Sequence, residues 1–275
     1  DTGNGVVIIP TAELAASSFV NLTRGPDPHD AVRELEFGTD DPPGRVRQVL
    51  VEVARDLPLV SPDREPRAAT LGNSRYRIAI PLQKPGDREA VLDAFSTRLW
   101  YAARRAELHL DRDATDDWRT EANLLAALRN TAPLLHLRPA DAESLGPGVR
   151  LERYCAGESL LRPGIVPDGT RFILDGRVTL GIESETAGLV VIARLGADDA
   201  VGLTALTRSV TISRAFASSD VDVIFIPVQL LDEVVRTHPA LARQLVREAE
   251  NRVAQARTAL AAVGEHLPFG RRVLG

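Results

Sequence analysis

The sequence contains one cysteine and almost no lysine. With Cys155 as the only cysteine, no disulfide can form within the chain, and a cysteine-rich zinc site is excluded. Positive charge comes almost entirely from arginine, since Lys84 is the single lysine. The formal net charge of -5 provides no overall basic field for a phosphate backbone. The composition therefore argues against nucleic acid as a partner.

Long apolar runs are also absent. No stretch approaches the roughly 18 to 20 consecutive apolar residues that a membrane-spanning helix needs. The chain starts at Asp1 and enters a β-rich run without a signal-peptide pattern, so we expect a soluble fragment of a longer protein in a reducing cytosol. A length of 275 residues with 44% hydrophobic residues predicts two folded units with real cores.

The N-terminal half alternates strand and helix patterns. Residues 6–10 and 19–23 have strand character, and a segment rich in turn formers follows them. The next part predicts strands at 33–37, 68–71, 76–82 and 107–110, with helices at 43–57 and 87–105. This β-α-β-β-α-β order is the split-βαβ, ferredoxin-like arrangement.

A polar connector at residues 111–117 is the best domain boundary in the chain. A helix is predicted at 118–130, and short apolar runs between glycine-containing turns then predict an all-β roll, or jelly roll, over 149–227. Residues 229–263 predict one long helical region that is broken near Pro239. The fold class is therefore α+β, ending in a β-roll with flanking helices.

No catalytic constellation is visible. The five histidines lack the spacing of metal ligands, and the acidic pairs, such as Asp40-Asp41, lie in turn-like segments where carboxylates are usually solvated. Neither a nucleophile elbow nor a P-loop occurs. Trp100 and Tyr101 are predicted to lie in the core, with a subunit contact as the alternative. We therefore expect neither a metal site nor an enzyme.

Three motifs in the C-terminal half resemble a cyclic-nucleotide-binding domain. They are RYCAGESL at 153–160, Gly164, and FILDGRV at 172–178, and a helix starting near His238-Pro239 follows them. The resemblance covers about residues 130–262 and implies a β-roll with a nucleotide pocket. In that family a short helix supplies backbone N–H groups to the phosphate, a glutamate takes the ribose hydroxyl, and an arginine pairs with the phosphate.

The matching pocket departs from the family at both polar anchors. Leu203 stands in the place of the glutamate and Thr211 in the place of the arginine. Losing a charge-assisted hydrogen bond costs about 1.5 to 3 kcal/mol, so we expect at most weak binding of cyclic AMP or cyclic GMP. Arg208 and Arg214 are the alternative anchors, or else solvated surface charges. The candidate binding residues are Gly202, Leu203, Thr204, Ala205, Leu206, Thr211 and Ile212.

The N-terminal half resembles the cytoplasmic region of the small-conductance mechanosensitive channel family. The run NGVVIIPTAEL at 4–14, with VNLTR at 20–24, is similar to the end of that family's β domain, although Thr11 replaces the usual asparagine. The run LWYAARRA at 99–106 is similar to its vestibule domain. The resemblance implies a homo-oligomeric ring, usually of seven subunits, that passes ions and is attached to the cell membrane by a preceding part.

The combined resemblance implies three regions. Residues 1–24 would end the channel β domain, residues 30–112 would form the vestibule domain, and residues 118–263 would form the nucleotide-type roll. On this hypothesis the chain faces the cytoplasm and regulates the channel without catalysis. Two alternatives stay open: a soluble cyclic-nucleotide-responsive regulator or scaffold without a channel, and a degenerate roll that serves only assembly.

Overall fold

The structure, a computed structural model, describes residues 29–113, 118–146 and 148–265. The predicted end of a channel β domain at residues 1–24 lies outside the described residues. Where the structure describes the chain, it contains no helix that is both long enough and apolar enough to cross a membrane. Helices are combined with antiparallel sheets, as the α+β prediction required.

The first unit, called here the α/β unit, is a three-stranded antiparallel sheet covered by two helices. The sheet has the order β1-β3-β2. Apolar residues at helical spacing in the first helix, among them Val46, Leu50 and Val53, pack against this sheet together with Phe95 and Leu99 of the second helix. The elements are β1 (Asp30–Glu36), α1 (Pro43–Arg55), β2 (Arg67–Gly72), β3 (Arg75–Pro81) and α2 (Arg88–Arg105).

The strand predicted at residues 107–110 does not form. Helix α2 ends at Arg105, and Glu107 shortly after it lies in the left-handed region at a φ of 59°. His109 then donates its backbone N–H to Oδ2 of Asp41 at 2.9 Å rather than to a neighbouring strand. The observed order is β-α-β-β-α, one strand short of the ferredoxin-like prediction. Asp41 is 5% exposed, so its interpretation as a solvated carboxylate was wrong.

Two four-stranded antiparallel sheets form the roll, with orders β5-β10-β7-β8 and β4-β11-β6-β9. Strand β11 is buried on both faces: Val221 and Val223 face the core between the sheets, and Ile224 and Ile226 face the helices. The strands are β4 (Arg150–Tyr154), β5 (Ser159–Leu161), β6 (Gly169–Asp175), β7 (Val178–Ser184), β8 (Gly188–Leu195), β9 (Ala200–Val201), β10 (Arg214–Ala217) and β11 (Val221–Pro227).

Four helices flank the roll. Thr120 caps the first of them by accepting the backbone N–H of Asn123 at 3.2 Å. The predicted break near Pro239 is confirmed, because His238 separates two helices and Pro239 opens the second one. The helices are α3 (Glu121–Thr131), α4 (Pro139–Glu143), α5 (Val228–Thr237) and α6 (Pro239–Ala262).

Trp100 and Tyr101 do not lie in the core of the α/β unit. Trp100 is 39% exposed and its ring lies under the guanidinium of Arg104. Tyr101 donates its hydroxyl to Oδ2 of Asp220 in the roll at 2.8 Å. The core prediction was wrong because the buried face of α2 runs through Phe95 and Leu99, which leaves these two aromatic residues at its margin.

Candidate functional site

The roll contains a cavity of about 1180 Å³, here called the roll cavity. Its floor is formed by Leu161, Leu180 and Ile192 on strands β5, β7 and β8. The loop between β9 and β10, residues 202–213, forms one side and is here called the cavity loop. Helix α6 forms the other side, because it packs against β8 and the short 3-10 turn Leu203–Ala205. The roll cavity therefore lies between a sheet and a terminal helix, a usual place for a small-molecule site.

Gly202 shapes the start of the cavity loop. Its φ of 88° lies in the left-handed region, where residues with a side chain are strained. A Cβ at this position would also lie 2.7 Å from the carbonyl oxygen of Gly169 in β6. The glycine thus lets the loop turn tightly against the sheet before the 3-10 turn begins.

Most of the predicted binding residues meet in the roll cavity. Ala205 is fully buried and does not line it. Leu206 faces a separate hollow beside α5 and α6. The predicted residues that do line the roll cavity are Gly202, Leu203, Thr204, Thr211 and Ile212.

Leu203 places an apolar side chain where the resemblance implies a glutamate. The side chain is 5% exposed and belongs to the core beneath the helices, together with Leu241 and Leu245 of α6. Within the described lining, the single carboxylate is that of Glu250, which is carried by α6 and not by the roll. The roll face therefore offers no carboxylate to a ribose hydroxyl.

Thr211 is buried and its polar groups are already paired. Its backbone N–H donates to Ile165 O at 2.8 Å, and its carbonyl accepts the N–H of Gly164 at 2.8 Å. Its hydroxyl donates to Ser213 O at 3.3 Å. The position implied for a phosphate-binding arginine thus carries a neutral side chain that is 4% exposed and fixed by the backbone around it.

Neither alternative arginine lines the roll cavity. Arg208 forms an exposed ion pair with Oδ2 of Asp232 at 2.6 Å. Arg214 points to the α/β unit, where its guanidinium donates to Ser159 Oγ at 2.9 Å and to Asp56 Oδ1 at 3.2 Å. This geometry does not support Arg208 or Arg214 as a substitute for the phosphate-binding arginine. The interpretation of Arg214 as a solvated surface charge was wrong, because its guanidinium binds Ser159 and Asp56.

Sequence reasoning missed Arg252 of α6, which lines the roll cavity. Its side chain is only 14% exposed, its Nη1 donates to Ala200 O at 2.5 Å, and its Nε donates to Glu248 Oε1 at 3.2 Å. Burial lowers the pKa of this guanidinium, while Glu248 and Asp199 oppose the shift. Helical periodicity could have indicated that Arg252 faces the roll, because it lies four residues before the buried Ala256 on the same face of α6.

Family comparison agrees with this description of the roll. Residues 151–238 match the family model described as "Cyclic nucleotide-binding domain". This part of the chain is a domain of the cyclic-nucleotide-binding type. The matched range contains the cavity loop and ends where α6 begins. No curated protein matches the chain.

Several solved structures are similar to parts of the chain. The Thermus thermophilus catabolite activator protein is 19% identical over 48% of this chain and 63% of its own, with a TM-score of 0.40. A cyclic nucleotide-binding domain from Methylobacillus flagellatus is 16% identical over 50% and 83%, with a TM-score of 0.40. The regulatory domain of Toxoplasma gondii PKA, crystallised with cAMP, is 13% identical over 65% and 59%, with a TM-score of 0.41. The match thus spans less than two thirds of the Thermus and Toxoplasma chains, and identities this low carry no information on the ligand.

Proposed function

We propose that this chain is the cytoplasmic vestibule and regulatory part of a mechanosensitive-type ion channel, modulated through the divergent pocket of its roll. The domain match supports the regulatory roll. The channel rests on the sequence similarity of residues 4–14, 20–24 and 99–106. In this proposal the α/β unit shapes the openings of a homo-oligomeric ring through which ions pass, and the chain performs no catalysis.

The observation that carries the regulatory role is the contact between the cavity loop and the α/β unit. The loop ends at Arg214, whose guanidinium binds Asp56 Oδ1 at 3.2 Å. Ser159 of β5 donates its backbone N–H to Asp56 Oδ2 and its hydroxyl to Oδ1, each at 3.0 Å. A ligand that shifts the cavity loop would therefore act directly on Asp56, the residue that follows α1. Such coupling requires different ligand affinities for two arrangements of this contact.

Channel function is tested with the full-length gene product, for which the proposal predicts membrane-spanning helices in addition to this chain. We expect pressure-activated currents in patches from bacterial cells that lack their own mechanosensitive channels. Native mass spectrometry of the 275-residue chain is expected to show one closed ring, with seven copies as the expected number. A gene product without membrane helices or current would instead support a soluble cyclic-nucleotide-responsive regulator or scaffold.

The ligand is tested separately by calorimetric titration of the chain with cyclic AMP and cyclic GMP. We expect weak binding because Leu203 and Thr211 replace both polar anchors. Absence of heat at millimolar nucleotide would remove cyclic nucleotides as ligands while leaving the channel proposal intact. Rings that form normally and bind no nucleotide would favour a roll whose role is in assembly.

A further inference from the structure

We propose that the roll cavity binds a small molecule with an apolar body and one anionic group, and that Arg252 of α6 holds the anion. This inference rests on the proposed regulatory role of the roll and names the class of its ligand. It moves the anion site from the cavity loop, where the resemblance implied an arginine, to the helix that covers the cavity.

The walls of the roll cavity favour an apolar ligand body. Leucine, isoleucine, valine and alanine side chains line it from the sheet, the loop and α6. Three of them remain open to solvent: Val210 is 53% exposed, Ile212 is 36% exposed and Val246 is 38% exposed. Covering apolar surface is favourable by roughly 25 cal/mol per Å², so a ligand body that fills this space gains affinity from contact alone.

Two polar groups in the same lining lack partners. Nη2 of Arg252 has no hydrogen-bond partner among the described residues, although Nη1 and Nε are both used. The hydroxyl oxygen of Thr204 is buried and also without a partner there. Unlike the enclosed Thr204 hydroxyl, Nη2 of Arg252 is not covered by protein atoms. It therefore remains available to donate to an anionic oxygen of a ligand in the cavity.

The charge of the lining favours one anionic group rather than several. Arg252 and Arg257 supply two positive charges, and Glu250 supplies the one negative charge of the described lining. The lining residues thus carry a net charge of +1, and Glu248, which pairs with Nε of Arg252, lies outside the lining. Arg252 lies deep and Arg257 is exposed at the rim, so the first is the anchor and the second adds only to the field. A carboxylate or sulfonate on an aromatic or aliphatic body matches this arrangement.

The test compares two fluorescent dyes that share a ring system. Anilinonaphthalene sulfonate carries one anionic group, and N-phenyl-naphthylamine is its neutral counterpart. Both are titrated into the full 275-residue chain and into the variant Arg252→Gln. Loss of a charge-assisted hydrogen bond predicts that the variant binds the sulfonate roughly tenfold or more weakly. The neutral dye should bind both proteins equally, which also shows that the cavity is intact.

A matched control uses the same helix. Arg247→Gln removes an exposed guanidinium that does not line the roll cavity, so sulfonate binding should change less than about twofold. Arg252→Lys should retain most of the affinity because it keeps the charge. Equal weakening of both dyes, an unchanged sulfonate affinity in Arg252→Gln, or no binding of either dye would overturn the proposal. None of these outcomes affects the pressure-activated currents, so the two proposals fail separately.

Discussion

Arg105, the last residue of α2, places its guanidinium against the carboxylate of Glu158 in the roll. Nη1 of Arg105 lies 3.2 Å from Oε2 of Glu158, and Nη2 contacts Oε1. The two side chains are 17% and 7% exposed. Burial raises the pKa of Glu158, and the charge of Arg105 opposes that shift. This ion pair therefore joins the α/β unit to the roll inside a buried contact.

Replacing Arg105 with glutamine should strongly destabilise the protein. Glu158 would stay buried without its cation, and breaking a buried ion pair in this way costs about 3 to 5 kcal/mol. Urea unfolding at neutral pH measures the loss. Arg112→Gln is the control, because Arg112 pairs with Glu36 at the surface, and a change within about 1 kcal/mol is expected there.

The loss in Arg105→Gln should depend on pH. A carboxyl group whose pKa is raised in the folded state favours folding when it is protonated, and removing Arg105 raises the pKa of Glu158 further. The loss in unfolding free energy relative to the native chain should have its full value at pH values above the raised pKa of Glu158. It should shrink as the pH falls towards 4.5, the ordinary value for a glutamate. An equal deficit at both ends of this range would contradict the assigned role of Glu158.

Asp56→Asn should weaken the contact between the cavity loop and the α/β unit. The carboxylate of Asp56 faces Arg214 and also accepts two hydrogen bonds from Ser159. Loss of its charge should cost about 1.5 to 3 kcal/mol in urea unfolding. In Glu65→Gln, the same change at an exposed pair with Arg55, we expect less than about 1 kcal/mol. Similar losses in the two variants would argue against a special role for Asp56.

Gly202→Ala should distort the start of the cavity loop. Its φ of 88° disfavours any side chain, and the new Cβ would meet the carbonyl oxygen of Gly169 at 2.7 Å. We expect a loss of about 1 to 3 kcal/mol in thermal or urea unfolding. Gly196→Ala is matched to it, since a Cβ there meets nothing within 4 Å and the residue has no positive φ. A tolerated alanine at 202 would show that the loop does not need this turn.

Local pattern was sufficient to predict most of the roll. Apolar runs between glycine turns correspond to β6, β7, β8 and β11, because strands buried on one or both faces must be apolar. The break at Pro239 also followed from local chemistry, since proline at this point cannot continue a helix. Five of the seven predicted pocket residues line the roll cavity, because the loop that carries them is short and tied to the sheet.

Contacts between distant residues could not be predicted from the sequence. Asp41 binds His109, which lies far along the chain, and this contact replaces the expected strand. The direction of Arg214 depends on Asp56, and nothing in the cavity loop indicates it. Arg252 was missed because its role becomes visible only when α6 lies against the roll.

Glu265 lies just after α6 and forms hydrogen bonds with the turn between β7 and β8. Its carboxylate accepts hydrogen bonds from the hydroxyl of Ser184 at 2.8 Å and from the hydroxyl and backbone N–H of Thr186 at 2.6 and 3.0 Å. These hydrogen bonds lower the pKa of Glu265 to about 2. Glu265→Gln should therefore speed hydrogen exchange in the last turns of α6 at neutral pH.

The same contact should weaken in acid. A carboxylate whose pKa is lowered stabilises the fold above its ordinary value of 4.5, and that contribution is lost as the pH falls towards 2. The native chain should then approach the exchange rate of Glu265→Gln over this interval. Glu233→Gln removes an exposed carboxylate of α5 and should leave exchange in α6 unchanged. Exchange in native α6 that is independent of pH, after correction for intrinsic rates, would contradict this role of Glu265.

Thr211→Arg should increase affinity for cyclic AMP and cyclic GMP. The Thr211 position lines the roll cavity and its backbone is held by Gly164 and Ile165, so a longer side chain can enter the cavity from a fixed point. A new charge-assisted hydrogen bond to the cyclic phosphate predicts roughly a tenfold or greater gain, measured by calorimetry. The gain should be limited because Leu203 still offers no acceptor to the ribose hydroxyl.

Arg208→Gln is the comparison for Thr211→Arg. Arg208 is already paired with Asp232 outside the roll cavity, so its removal should leave nucleotide affinity at the native level. Unfolding of each variant must be checked, since overpacking a buried site commonly costs about 1 to 3 kcal/mol. A folded Thr211→Arg protein without any gain would show that the missing arginine does not by itself limit nucleotide binding. In that case the shape of the cavity, with Leu203 and the apolar side of α6 closing on the ligand, excludes the nucleotide.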